Sequence, residues 1–284
     1  MAHPIDIYLI NLDRRPDRLA RVKSRLDQLD LPFIRFSAID GREPTAPIAK
    51  AQHRKFIINQ KKRPVAGELA CAASHIEVWK LFLQSKADYA LILEDDIEIS
   101  ENLNHFLQEY LNHSQMDFLN ISSRAPYNAE ESNINKIIPP GILNRPSIFD
   151  YKLRSQWRKI EWRRTWRIFK IHPLQSGGII CECDPAPALG SGYVISRRAA
   201  EAFLKISKNI YFPIDIIWRF SSGSLRQGFL ATPLVFQTNA DTDIPGRFDQ
   251  GRIRFIYRIL RPLLKSRRLR RRIDVIRLYG ISSH

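Results

Sequence analysis

Cysteine is scarce in this chain and poorly placed for bridging. Only Cys71, Cys181 and Cys183 occur among 284 residues. An odd count, with two members one residue apart, gives no disulfide framework, and no further pair completes a zinc-finger spacing. Reduced thiols in a cytosolic setting are expected. Long apolar runs are also missing. No stretch reaches the roughly 18 residues that a membrane-crossing helix needs. A strand-like run begins at Ile5 without a basic and apolar leader before it, so no signal peptide is expected. No internal repeat is apparent.

Acidic residues are absent from one region in particular. Residues 252–272 hold ten basic side chains and no acidic one. Residues 152–170 hold eight basic side chains against Glu161 alone. These two segments account for the net charge of +16, and the rest of the chain is close to neutral. That distribution predicts a basic docking surface on an otherwise ordinary domain. The remaining composition, 44% hydrophobic and 10% aromatic, is that of a globular chain able to bury a full core.

One stretch carries the most chemistry. Tyr89-Ala90-Leu91-Ile92-Leu93 reads as a buried strand, and Glu94-Asp95-Asp96 follows at its C-terminal end. In open α/β sheets that edge binds ligands. Three adjacent carboxylates repel one another unless water or a cation relieves them. A hard divalent ion such as Mg²⁺ or Mn²⁺ is the natural counterpart, because it takes oxygen ligands and bridges phosphates. A solvated acidic turn is the alternative.

Other segments repeat the strand–loop–helix theme. Residues 5–10 predict a strand, and Asn11-Leu12-Asp13-Arg14-Arg15-Pro16-Asp17-Arg18 a turn into a helix, with Pro16 suited to its first turn. Leu19, Val22, Leu26 and Leu29 recur at helical spacing. Asn11, Asp13, Arg14 and Arg18 then lie near a helix N-terminus, which favours phosphate. Residues 33–39 predict a second strand ending in Asp40-Gly41, where the aspartate can accept from ribose or base groups. Residues 42–64 read as a long loop. A helix is predicted over residues 67–85, opening on small residues, with Ser74 and His75 as candidate ligand contacts. His75 reads equally as a buried histidine bonded to its surroundings. A further helix carries Leu103, Phe106, Leu107 and Tyr110, and residues 118–121 form a strand.

Residues 126–149 are loop-like, and the Gln156–Arg167 stretch interleaves Trp with Arg. That mixture suits a membrane interface or an acceptor, or a surface helix covering the core with arginine stems. Gly190-Ser191-Gly192-Tyr193 leads into a short strand and then a helix over 197–206. Its glycines would let backbone lie close to a ligand. Asp215 begins another helix and is the candidate base, although capping alone would explain it. One strand is predicted over 229–236, followed by Asp241-Thr242-Asp243, a possible second acidic site or a polar turn. In the tail, Arg254, Arg258, Arg261, Lys265, Arg268 and Arg272 form a helical basic stripe opposite Ile253, Ile256, Leu260 and Leu263 or Leu264, interrupted by Pro262. Such an element lies on an anionic membrane, or less readily on nucleic acid.

Taken in order, the blocks Ile10-Asn11-Leu12-Asp13-Arg14, Ala38-Ile39-Asp40-Gly41, Gly67-Glu68-Leu69-Ala70-Cys71 with Ser74-His75, Leu93-Glu94-Asp95-Asp96, Gly190 to Ser196 and Pro213-Ile214-Asp215 resemble glycosyltransferase family 25. That family includes bacterial lipooligosaccharide galactosyltransferases and collagen-modifying galactosyltransferases. The resemblance spans most of residues 5–240 and is weak over about 122–184.

It implies an α/β, GT-A-like (Rossmann-like) domain over 1–250 and a basic amphipathic tail over 251–284. It further implies an inverting, metal-dependent transfer of a hexose, with UDP-galactose as donor and a lipid-linked oligosaccharide as acceptor. Asp96 and Glu94 would hold Mn²⁺ (or Mg²⁺), with Glu94 or Asp95 near the ribose. Asn11, Asp13, Arg14, Arg18, Asp40, Gly41, Ser74, His75, Gly190, Ser191 and Gly192 would line the sugar nucleotide, and Asp215 would take the acceptor proton. A cytoplasmic protein peripheral on the inner face of the membrane is expected, with no nucleic-acid partner. A non-catalytic membrane-bound relative of the fold, or a basic nucleic-acid-binding protein, are the competing readings.

Overall fold

The computed structural model describes residues 4–60, 62–113, 116–163, 165–238 and 265–281. The strands are β1 (Ile5–Asn11), β2 (Ile34–Ser37), β3 (Tyr89–Glu94), β4 (Ile97–Ile99), β5 (Phe118–Asn120), β6 (Arg167–Pro173), β7 (Ile179–Asp184), β8 (Gly192–Ser196), β9 (Gln227–Leu230) and β10 (Val235–Gln237). The helices are α1 (Pro16–Gln28), α2 (His53–Gln60), α3 (Ala66–Gln84), α4 (Leu103–His113), α5 (Glu131–Ile137), α6 (Tyr151–Trp157), α7 (Arg197–Ser207) and α8 (Lys265–Tyr279), with a 3₁₀ turn at Ile214–Arg219.

Eight strands form one mixed sheet in the order β2-β1-β3-β8-β5-β9-β7-β6. β2, β1 and β3 run parallel, whereas β8 is antiparallel to both β3 and β5. This α/β sheet is consistent with the expected GT-A-like fold. Period-two alternation divides its side chains between two layers. Ile7, Leu9, Leu91 and Leu93 pack with Val22 and Leu26 of α1 and Leu103, Phe106 and Leu107 of α4. Tyr8, Ile10, Ala90 and Ile92 pack on the other face with Leu69, Val78, Trp79 and Phe82 of α3 and Phe203 of α7. With both faces covered, β3 has to read as an unbroken apolar run, and Tyr89 through Leu93 are all buried.

Several expectations need correction. The predicted loop at 42–64 contains α2, which forms around buried Phe56. The loop-like 126–149 contains α5, held by buried Ile134. The single strand predicted over 229–236 is two: β9 ends at Leu230, and β10 leaves the main sheet to pair antiparallel with β4. Pro233 lies in the break, where a residue without an N–H cannot serve a ladder. The weakly matching region 122–184 is integral to the fold, since β6 and β7 extend the same sheet. The Trp/Arg segment divides. Trp157 is fully buried, its Nε1 donating to the Ile168 carbonyl at 2.9 Å. Arg154 is buried and donates to the Pro146 carbonyl at 2.7 Å. Arg145 is paired with Glu161. Trp162 remains 43% exposed.

The C-terminal helix is docked on the body. Arg271 Nη2 meets Asp184 at 2.5 Å, Val275 is buried, and the Tyr279 ring stacks on Phe169 at 3.9 Å. The Tyr279 hydroxyl donates to Glu182 at 2.8 Å. Burial opposes ionisation of Glu182, but the Arg226 guanidinium, bound at 2.7 and 2.8 Å, and His172 outweigh it and hold its pKa at about 2. Residues 251–264, with most of the predicted stripe, and Asp241, Thr242 and Asp243 lie outside the described residues, as do the side chains of Lys265 and Arg268. Among the described residues no helix is long and apolar enough to cross a membrane.

Gly223 permits the docking of α8. A Cβ there would collide with the Arg271 carbonyl oxygen and lie 3.0 Å from Asp274 and Val275 side-chain atoms. Gly223→Ala is therefore expected to cost about 1–3 kcal/mol. Amide exchange of residues 269–281 should accelerate before that of β3, and unchanged protection there would contradict this packing role.

Candidate functional site

Glu94, Asp95 and Asp96 close the C-terminal end of β3 beside the ends of β1 and β8. The Glu94 amide donates to the Ser191 carbonyl at 3.0 Å, and Glu94 pairs in register with Ile10. Each of the three carboxylates is handled differently.

Asp95 turns into the protein. It is 6% exposed and accepts from Asn11 Nδ2 at 2.7 Å and Arg18 Nη1 at 3.2 Å. Arg18 itself is 4% exposed. Asn11 and Arg18, expected at the nucleotide, therefore brace the triplet and the β1–α1 loop, and Asp95 is committed to them.

Glu94 is held from α3. Trp79 Nε1 donates to the Tyr193 hydroxyl at 3.0 Å, and that hydroxyl lies 2.8 Å from His75 Nδ1. His75 Nε2 lies 3.1 Å from Glu94 Oε1. Indole is a donor only, so the phenol accepts from it and gives its own hydrogen to Nδ1. This logic assigns the imidazole hydrogen to Nε2, directed at Glu94. Burial raises the Tyr193 pKa well above its ordinary value, which keeps that hydrogen in place. His75 is 1% exposed and its Nε2 meets Glu94. Cys71, His75 and Glu94 bring ligand-type atoms within 4.8 Å of one another, but both His75 nitrogens are engaged in this chain of hydrogen bonds.

Asp96 is the carboxylate left over. Gln237 Nε2 donates to its Oδ2 at 2.9 Å, while Oδ1 is buried and meets no hydrogen-bond partner among the described residues. Burial, followed by the charge of Glu94, pushes the Asp96 pKa up to about 6. An unsatisfied buried carboxylate oxygen next to a second carboxylate is the donor set of a hard divalent cation. The residues thus fit such an ion, with Asp96 and Glu94 as its holders.

The remaining predicted residues surround this edge. Asp13 accepts from Ser37 at 2.7 Å and pairs with Arg35; the Ser37 bond and then the Arg35 bond lower its pKa. Arg14 pairs with Asp40 at 2.6 Å. Ser74 is fully buried, accepts from the Ile39 amide at 2.9 Å and donates to the Ala70 carbonyl at 3.0 Å, so it ties α3 to the end of β2. Gly41 is required by packing, since a Cβ would come within 2.7–2.8 Å of Gly67 and Ala66 backbone atoms. Gly192 makes room for Val235, 2.9 Å from where its Cβ would lie. Close approach to protein, not to ligand, accounts for both glycines. Ser191 Oγ is buried without a hydrogen-bond partner among the described residues, immediately beside the Glu94 strand end. Gly190 lies against Asp215, with 3.6 Å from its ideal Cβ position to Asp215 Cβ, so the candidate base joins the same edge. It sits in the first turn of the 3₁₀ segment.

Sequence reasoning missed Trp79, Tyr193, Gln237, Arg35 and Ser37. Their partners lie far away in the chain, and no local spacing signals them.

A mixed α/β sheet that gathers carboxylates at its strand ends is consistent with a GT-A-like glycosyltransferase, and comparison with known proteins gives the family. The chain belongs to glycosyltransferase family 25 (LPS biosynthesis protein), whose model matches residues 5–218. It is 33% identical over 105 residues to a putative glycosyltransferase of Haemophilus influenzae, covering 36% of each chain. It is 35% identical over 96 residues to a glycosyltransferase 25 family member of Aedes aegypti, covering 32% of this chain and 16% of that one. Human procollagen galactosyltransferase 2 is 27% identical over 111 residues, covering 37% and 18% respectively. The chain thus spans only a minor part of the length of these curated relatives. Glycosyltransferases of this family are typically metal-dependent.

The different fates of the carboxylates separate in mutants. Asp95→Ala strands the Arg18 charge and should cost about 3–5 kcal/mol. Asp96→Asn removes a carboxylate whose folded-state pKa lies above its ordinary 3.8, and so should stabilise the metal-free protein by about 1–3 kcal/mol at pH 7. A raised carboxylate pKa means the folded state binds the proton more tightly. The advantage of the asparagine therefore fades as pH falls from about 6 and is gone near pH 4. Denaturant melts across that range check both signs.

Proposed function

We propose that the chain transfers a hexose, galactose from UDP-galactose in the first instance, with inversion, onto a sugar of a lipid-linked oligosaccharide. The observation that carries the reading is the buried, unpartnered Oδ1 of Asp96 beside Glu94. Asp96 and Glu94 would hold Mn²⁺ or Mg²⁺, an ion that when bound neutralises charge on a departing diphosphate. The His75–Tyr193–Trp79 chain fixes which Glu94 oxygen is occupied and which is free. Gly190 lies against Asp215, which supports a reading in which the Asp215 carboxylate takes the proton of the attacking acceptor hydroxyl. Arg14, Asp40, Asp13 and Ser191 are the polar groups around the same edge that would meet the nucleotide sugar.

The lipid character of the acceptor rests on the basic segments. Arg272 of α8 lies near enough to Arg167 to help lower its pKa, after burial and the Arg154 charge, so the two segments contribute to one surface. Leu269, Ile273 and Ile281 are exposed beside Arg270, Arg272 and Arg277, a composition suited to an anionic lipid surface. A relative named a procollagen galactosyltransferase supports galactose as the donor sugar.

Titration calorimetry with UDP tests the site. Mn²⁺ should strengthen UDP binding by about tenfold or more over EDTA, and Asp96→Asn should remove that gain. Equal UDP affinity in Mn²⁺ and EDTA would contradict the reading. Asp215→Asn should leave UDP binding intact and lower kcat for UDP-galactose transfer by ~10²–10⁴-fold. Unchanged kcat would remove Asp215 as the base.

A further inference from the structure

Arg219 ends the 3₁₀ turn in which Asp215 stands near the beginning. Its guanidinium carbon lies 4.5 Å from the centroid of the Trp166 ring. Its Nε is buried and meets no hydrogen-bond partner among the described residues. Burial lowers the Arg219 pKa to about 10, against the opposing pull of the Asp215 charge. Trp166 in turn stands edge-on to Trp162, with centroids 4.9 Å apart at 87°. Trp162 is 43% exposed.

A guanidinium half withdrawn from water with a donor unsatisfied carries a desolvation cost that an oxyanion would repay. Its planar fork matches carboxylate and phosphate bidentately, and stacking on indole holds the fork in one plane. Indole also offers an apolar face for the C–H side of a pyranose ring. Arg219 shares its 3₁₀ turn with Asp215 and feels its charge. The cation therefore belongs with the acceptor-side base in this reading.

We propose that Arg219, backed by Trp166, receives a phosphate or carboxylate carried by the acceptor saccharide, and so selects anionic acceptors. The inference rests on the reading of Asp215 as the acceptor-side base. An oxyanion could also come from the donor diphosphate, and the experiment separates the two sources.

Tryptophan fluorescence of the full chain, saturated with UDP and Mn²⁺, is titrated with glucose, glucose 6-phosphate and glucuronate. Wild type should respond to the two charged sugars at concentrations about tenfold below that for glucose. Arg219→Gln should reduce the preference to about twofold or less, with UDP affinity within about twofold of wild type. Arg219→Lys keeps the charge without the fork. It should weaken the preference, and it carries the test should the glutamine variant not fold. No preference for charged sugars in wild type overturns the proposal. So does an unchanged preference in the lysine or glutamine variant, or a loss of UDP affinity in Arg219→Gln without a change in sugar preference. Failure of wild type to bind UDP with Mn²⁺ would strike the donor-site reading instead, and the monosaccharide comparison, repeated without UDP, would still decide the role of Arg219.

Discussion

Three carboxylates at the end of one buried strand must be kept from repelling one another, and much of the surrounding architecture answers that constraint. Asp95 is neutralised by Arg18 and bonded by Asn11. Glu94 is bonded by His75, which α3 carries and Tyr193 of β8 orients. Among the described residues the Asp96 carboxylate receives Gln237 of β10. The three carboxylates thus face different surroundings: β1 and α1 meet Asp95, α3 meets Glu94 and β10 meets Asp96. One charge, that of Asp95, is paired within the protein, while Glu94 is held by a hydrogen bond and Asp96 lies beside it.

This division explains why residues that look alike in a motif do different work. Asn11, Arg18, Ser74 and His75 are buried and each holds a neighbour by hydrogen bonds. Gly41 and Gly192 are small because backbone and Val235 crowd them. The groups at this edge that are not fully buried include Glu94, Asp96, Asp215 and the Arg14–Asp40 pair. A site built from few ligand-facing groups on a heavily braced frame is preorganised, which is the condition for electrostatic catalysis.

The strand-and-triplet, α1 with its Pro16 start, α3 and α7 were legible because local periodicity and end signals mark them. The register of β3 against β1 and β8 follows from buried apolar faces. β4, β6, β7 and β10 were not legible in the chain. They are short or irregular, and distant pairing defines them, as when β10 departs at Pro233 to join β4. Trp157 and Trp162 sit in the same Trp/Arg composition, yet one is core and the other partly exposed, because that difference is decided by Ile168 and β6 and not by neighbouring sequence. The acidic triplet itself was visible, but which carboxylate would remain free depended on Arg18, His75 and Gln237, which lie between 19 and 141 residues away from their partners.

Carbon-detected NMR titration of the Asp96 carboxyl in the metal-free protein tests the central claim most directly. The account predicts titration near pH 6, well above the ordinary aspartate value of 3.8, and disappearance of that step when Mg²⁺ is added. Titration at the ordinary value, unaffected by Mg²⁺, would mean that Asp96 is already satisfied and that the triplet is no cation site.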